Sequence, residues 1–323
     1  MNSTQFRSSR PFRQKQIPSS SSFTANSTGY QSVNGTSFAA PAVTGSANLL
    51  RELRSELDRE EMLASTQKGI IIHTATDLGA PGPNYDTGWG LMNTQAAAEL
   101  IDADAASDSL PHIKEAFLPD GEVIEFKVKA TGTEPLKVTI CWTDPAGNPP
   151  GNLLDPPNAM LVNDLDLRIL QGVTDFEPWV MNPANPAAAA TDGDNDIDNV
   201  EQVLINNPTA GTEYTIRVNH KGSLVNDQGN SFGQMVSLVI SGNEVEDAPS
   251  FEIVELDKTG ANEYTLQFES VVGARYQLET STDLETFTPV GGVINAIREV
   301  VAEPTSAPAA NTKRFWRNIR LDD

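Results

Sequence analysis

From about Ala105 onward, apolar side chains recur at every second position in short runs, at residues 123–128, 136–142, 165–170, 200–205, 214–218 and 235–240. In an extended chain successive side chains point to opposite faces, so each run describes a strand with one buried face. A helix cannot align a period of two. Clusters of Gly, Pro, Asn and Asp separate the runs, and that punctuation is the pattern of an all-β sandwich or jelly roll over residues 105–242. The polar stretch 143–163 reads as a surface loop. The single cysteine, Cys141, lies in the run Lys137–Trp142 and suits a small buried hydrophobe; it excludes an internal disulfide framework.

The chain before Ala105 has a different period. Phe38, Ala42, Leu49, Leu50, Leu53 and Leu57 recur near 3.6 and predict a helix over 38–64. A second helix is expected from Gln67 to Thr76, and a third from near Asn93 to Ile101, after the turn residues Gly79 to Asn84. A third composition shift falls at the acidic stretch from Gly242. Beyond it Tyr264, Leu266 and Phe268 alternate, as do Tyr276 and Leu278. The Ala/Pro-rich stretch 302–311 reads as an exposed loop before a final strand, Arg314 to Leu321. The expected organisation is a disordered leader over 1–27, a helical block over 28–104, a β-sandwich over 105–242, a linker over 243–250 and a small β-rich module over 251–323.

The net charge is -22, yet residues 1–51 hold five basic side chains and no acidic one. The remainder is therefore strongly acidic, which repels phosphate backbones and argues against nucleic-acid binding. No apolar run approaches the roughly 18–20 residues that would span a bilayer. The leader is rich in Ser and Arg and has no apolar core of the kind a secretory signal needs.

Residues 34–45 read NGTSFAAPAVTG, a serine set among residues with almost no side chain. A nucleophilic serine needs an exposed Oγ on rigid backbone near N–H groups that can hold an oxyanion. The start of a helix supplies both, through its unpaired N–H groups and its dipole. Gly35 allows a tight turn before Ser37, and Ala39, Ala40, Ala42 and Gly45 leave room for close approach. The competing reading makes Thr36 or Ser37 a helix N-cap.

Gly35-Thr36-Ser37-Phe38-Ala39-Ala40-Pro41 resembles the string that carries the nucleophile in the subtilisin-like serine proteases. Gly88-Trp89-Gly90-Leu91-Met92-Asn93 is similar to the segment that closes their catalytic domain. Trp142-Thr143-Asp144-Pro145, the run from Leu161 to Leu167, and Asn199-Val200-Glu201 resemble the jelly-roll domain following it in one bacterial branch. The resemblance covers residues 28–242. It implies a multidomain α+β chain: part of an α/β subtilase domain, then the jelly roll and a small C-terminal β-sandwich. It also implies Ser37 as nucleophile, protein or peptide substrates, chemistry that requires no cofactor, and secretion.

The family's triad runs Asp, His, Ser, and the Asp, the His and the oxyanion-hole Asn would fall before residue 1. His73, His112 and His220 lack the Gly-Thr-His setting of the family's base. Asp86-Thr87-Gly88 follows turn residues and reads as a turn. Loss of the base alone costs a subtilisin about a millionfold in rate, so this chain by itself is expected to hydrolyse peptide bonds negligibly.

Two acidic groups invite a cation. Asp192, Asp194, Asp196 and Asp198 alternate in an oxygen-rich loop of the kind Ca²⁺ prefers, though without the Gly and Glu of an EF-hand; a solvated turn is the competing reading. Asn163, Asp164 and Asp166 alternate with Leu165 and Leu167, which suggests a strand with one wet face and a second place for calcium. At the other end of the chain, Lys313 to Arg317 flanks aromatics with cations, either packing in a terminal strand or meeting a sugar or surface.

The expected function is serine-type endopeptidase action through an acyl-enzyme at Ser37, with this chain a fragment of the protease. The alternative is a non-catalytic secreted binding or adhesion protein built on the two β-domains.

Overall fold

The computed structural model describes residues 35–149, 151–152, 159–249, 252–260, 263–306 and 314–321. The leader expected over 1–27 lies outside them, as do Lys313 and residues 307–311 of the expected loop. By its internal contacts the chain divides into two units, Met1–Asn48 and Leu49–Asp323.

Among the described residues three helices come first: α1 Thr36–Glu56, α2 Ala64–His73 and α3 Thr94–Ala105. The apolar period predicts a first helix running on to 64, but α1 stops at Glu56. Asp58 takes a left-handed conformation (φ 54°) and the chain leaves the helix there. In α3, Asn93 is the N-cap, its side chain accepting from the Ala96 N–H at 3.0 Å.

Sixteen strands follow among the described residues. They are β1 Ile113–Pro119, β2 Ile124–Lys129, β3 Leu136–Trp142, β4 Asp164–Gln171, β5 Thr174–Phe176, β6 Trp179–Val180, β7 Thr191–Asp192, β8 Val200–Ile205, β9 Glu213–Lys221, β10 Gly233–Ser241, β11 Ile253–Lys258, β12 Glu263–Glu269, β13 Arg275–Ser281, β14 Thr288–Asn295, β15 Val300–Ser306 and β16 Phe315–Arg320. Two antiparallel four-stranded sheets, β1-β10-β3-β8 and β2-β9-β4-β5, enclose the main core. Leu118, Val138, Ile140 and Leu238 from the first meet Ile124, Leu165, Leu167, Ile216 and Val218 from the second. Each is essentially fully buried, and the alternation read from the sequence is the alternation that fills this core.

The outer face of the first sheet carries the helices. Leu50, Ile70, Ala97 and Ile101 cluster with Ile113 and Val239 of the sheet. Gly69 brings α2 close, since a Cβ there would stand 3.3 Å from Val239 and 3.5 Å from Cys141. The contact is also polar: Ser65 and Thr66 hydroxyls each lie 2.8 Å from the Ser237 hydroxyl. Glu115 accepts from the Leu63 N–H at 2.8 Å and from the Thr66 hydroxyl, placing a carboxylate at the positive end of α2.

Beyond β10, two three-stranded sheets, β11-β12-β15 and β14-β13-β16, share a second core of Leu266, Phe268, Ala274, Tyr276 and Leu278. Residues 302–306 of the expected loop belong to strand β15, which accommodates Pro304 because it is the outer strand of its sheet. This part lies tightly on the first: Val272 belongs to the main core. Gly273 sits at φ 93°, where a Cβ would stand 3.3 Å from the Glu115 backbone and the Lys114 side chain, and Arg298 pairs with Glu122 at 2.7 Å. The start of the linker is held as well, by Glu244 N–H donating to Lys129 O at 2.7 Å. No helix among the described residues is long and apolar enough to cross a membrane.

Candidate functional site

Ser37 is the second residue of α1, on an exposed turn closed by the Phe38 N–H donating to Gly35 O at 3.0 Å. Gly35 precedes the helix, so Thr36 and Ser37 lie inside it, and neither hydroxyl makes a hydrogen bond among the described residues. Pro41 stands one step past the first turn. Its missing N–H would have met the Ser37 carbonyl, which is therefore left without its helical partner. Phe38 and Val43 are 61% and 41% exposed, so the residues around the serine carry apolar surface.

The three histidines are structural. His73, buried in α2, holds Thr139 Oγ1 through Nδ1 and Ser241 Oγ through Nε2, both at 2.9 Å. Burial, with Lys137 and His112 nearby, keeps its pKa well below the ordinary value. His112 Nδ1 lies 3.1 Å from Ile240 O, and His220 Nε2 accepts from the Gly121 N–H at 2.8 Å. No histidine is hydrogen-bonded to a carboxylate among the described residues, the contact that orients a catalytic imidazole. Asp86 lies in a turn in which its own N–H and that of Thr87 donate to Asn84 Oδ1.

The alternating aspartates do not converge. Asp194 turns to Arg168 at 2.9 Å and to Lys221 at 2.8 Å, and Asp198 accepts from Asn195 Nδ2 at 3.1 Å. Asp192 and Asp196 are exposed. Among the described residues no group of three or more His, Cys, Asp or Glu is placed to hold a metal ion.

What Asp194 joins is an ionic cluster on the outer face of β4 and β9. Lys221 Nζ stands 3.3 Å from Asp164, 3.1 Å from Asp166 and 2.8 Å from Asp194, occupying the middle of three carboxylates. Desolvation and a hydrogen bond with Asp194 push Asp166 up to about 6, while the bond to Lys221 holds Asp194 down at about 2. Asn163 is tied elsewhere, its side chain spanning Val225 and Gln234.

Glu201, Lys114 and Asn243 are buried polar residues to which the sequence reading gave no role of their own. Glu201 is 0% exposed between the main sheets, and desolvation pushes its carboxyl up to about 9. Lys114 is buried at the foot of the C-terminal sheets, donating to Leu110 O at 2.7 Å and Ser109 O at 3.2 Å; burial brings it down to about 8. Asn243 has a buried Oδ1 with no partner among the described residues. Only Glu201 left a trace beforehand, as an acid inside the apolar run Val200–Ile205.

At the C-terminus, Trp316 packs against the second core. Arg317 pairs with Glu279 at 2.6 Å and lies over the Phe287 ring.

Residues 13–90 match the model of the Subtilase family. Serotype-specific antigen 1 of Mannheimia haemolytica is 44% identical over 64 residues, which make up 20% of this chain. Those residues span about 6% of the length of that protein. The serine-bearing helix, α2 and the turn leading to Gly90 thus form a subtilase-like region, from a family of serine-protease hydrolases.

Proposed function

We propose that the chain is part of a secreted subtilisin-like serine endopeptidase, with Ser37 as the nucleophile that forms the acyl-enzyme and the two main sheets as a jelly roll following the catalytic domain. The observation that carries this reading is the setting of Ser37: an exposed hydroxyl on the first turn of α1, engaged in no cap, within the matched segment. A helix start favours the negative charge that develops on the substrate carbonyl oxygen during attack.

Ser37 requires a base that takes its proton and returns it to the leaving amine. The three histidines of this chain are bound to hydroxyls, a carbonyl and a backbone N–H instead. In this reading the base and its aspartate belong to sequence outside residues 1–323. A fluorophosphonate probe tests it. Labelling of Ser37 is expected in a polypeptide that includes upstream Asp and Gly-Thr-His motifs, and not in residues 1–323 alone. Labelling of the isolated chain would refute its inactivity; upstream DNA without those motifs would refute the protease reading.

A second reading, a binding protein built on the β-sheets, is favoured by a cavity of about 400 Å³ where the C-terminal sheets meet β2.

A further inference from the structure

That cavity runs along the outer edge of β2. The opposite edge of β2 pairs with β9, and the outward groups are those of its odd-numbered residues. The Glu125 N–H donates to Ile297 O at 3.1 Å, and the Lys127 N–H to the Glu299 carboxylate at 3.0 Å. Lys129 O accepts from the Glu244 N–H. Between these covered positions the Lys127 carbonyl and the Lys129 N–H face the cavity without a partner among the described residues. They are the acceptor and donor that one residue of an added parallel strand uses. The isolated parallel bridge between Glu125 and Arg298 shows that this edge already takes a neighbour in that direction.

The lining selects the guest. Phe126, Val271 and Val272 give it an apolar floor, and it carries five carboxylates against three lysines. The lysines are committed: Lys114 to two carbonyls, Lys127 to Glu213 at 2.7 Å and Lys129 to Glu246 at 2.6 Å. Glu244 and Asp247 on the rim form no ion pair among the described residues. An acidic rim and an open strand edge call for a guest with N–H donors and positive charge. The volume lies at the low end of pockets that hold small ligands, roughly 300–1,000 Å³, so the guest is short.

We propose that this cavity docks a short, extended, basic peptide segment, which pairs with β2 at Lys127 and Lys129 and sets a lysine or arginine side chain against Glu244 and Asp247. The site is independent of chemistry at Ser37, so either idea can fail without the other.

The probe is an acetylated, amidated pentapeptide alternating valine and lysine, titrated into the full chain carrying Ser37→Ala so that no cleavage contributes. Amide resonances report the contact, and the anisotropy of a labelled peptide reports affinity. The Lys129 amide is expected to shift and saturate, and the glutamate counterpart to bind at least about tenfold more weakly. Glu244→Lys with Asp247→Lys, both on exposed positions, is expected to weaken binding by about tenfold or more. N-methylation of the central peptide residue, which leaves the protein untouched, is expected to abolish binding by removing the N–H that meets the Lys127 carbonyl. Failure of any one of these results overturns the proposal.

Discussion

The Glu201 carboxyl on β8 accepts the Leu167 N–H of β4 at 2.6 Å, linking the two main sheets from inside their shared edge. β5 pairs with β4 only from Ile169 to Gln171, so the Leu167 N–H lies beyond the strand that would otherwise have taken it. The acid closes the ladder where the partner strand falls short. Desolvation holds it protonated through neutral pH, with a folded pKa of about 9.

The sign of its pH dependence follows. Between about 4.5 and 9 the folded state binds a proton that the unfolded chain releases, so stability falls as pH rises through this window. At pH 7 the cost is about 3 kcal/mol. Glu201→Gln keeps an acceptor for Leu167 and removes the titration. It is expected to be near neutral at pH 5 and to stabilise increasingly toward pH 8 in urea unfolding. An equal effect at both pH values would show that Glu201 titrates normally.

His73 contributes in the opposite direction. Its folded pKa is depressed, and it is faced by Thr139 and Ser241, with Lys137 bonding its carbonyl and His112 nearby. The unfolded chain takes up a proton below about pH 6.5 that the folded state refuses, so stability falls as the solution becomes more acid. The loss is expected to grow as pH falls below about 6.5. His73→Gln should lower stability at pH 7 and flatten this acid limb; an unchanged limb would assign it to other groups.

Gly273 joins the C-terminal sheets to the main body at φ 93°, against the Glu115 backbone. Gly273→Ala is expected to cost about 1–3 kcal/mol through strain and crowding. Trp142 lies in the main core and Trp316 at the second. In variants keeping only one of these tryptophans, their denaturation midpoints should fall together. A shift at Trp316 alone would mean that the C-terminal sheets unfold independently.

Limited proteolysis should cut first within residues 35–48, nearly all exposed, and leave a core starting near Leu49 or Leu50. The sequence alone predicts erosion through residue 104, on the argument that the helices lack a sheet to cover them. For α2 the outer face of β3 and β10 provides that cover, and α3 packs in turn against α2, with Ile113 and Val239 in the same cluster. A stable core beginning near residue 105 would contradict the packing described.

The strands with clean alternation were legible in advance: Leu136–Trp142 and Val200–Ile205 have the bounds their periodicity predicts. β1 was not, because Lys114 and Glu115 interrupt the apolar pattern for reasons that lie outside the strand. Lys114 meets the carbonyls of Ser109 and Leu110, and Glu115 caps α2. The helix start at Ser37 was legible from a short string of small residues, since the local requirements of a helix start are written in adjacent positions. The alternating aspartates were misleading for the converse reason. Spacing along a loop says nothing of the cations opposite, and here Arg168 and Lys221 take Asp194.

The sequence by itself determined most of the strands and helices and which of their faces are apolar. These follow from periodicity and local backbone chemistry. Tertiary structure decided which buried polar groups are paired and which carboxyl stays protonated. It also decided which sheet covers α2 and which edge of β2 stays open. Each of these depends on desolvation and on partners far apart in the chain, 34 residues for Glu201 and Leu167 and 172 for Lys127 and Glu299.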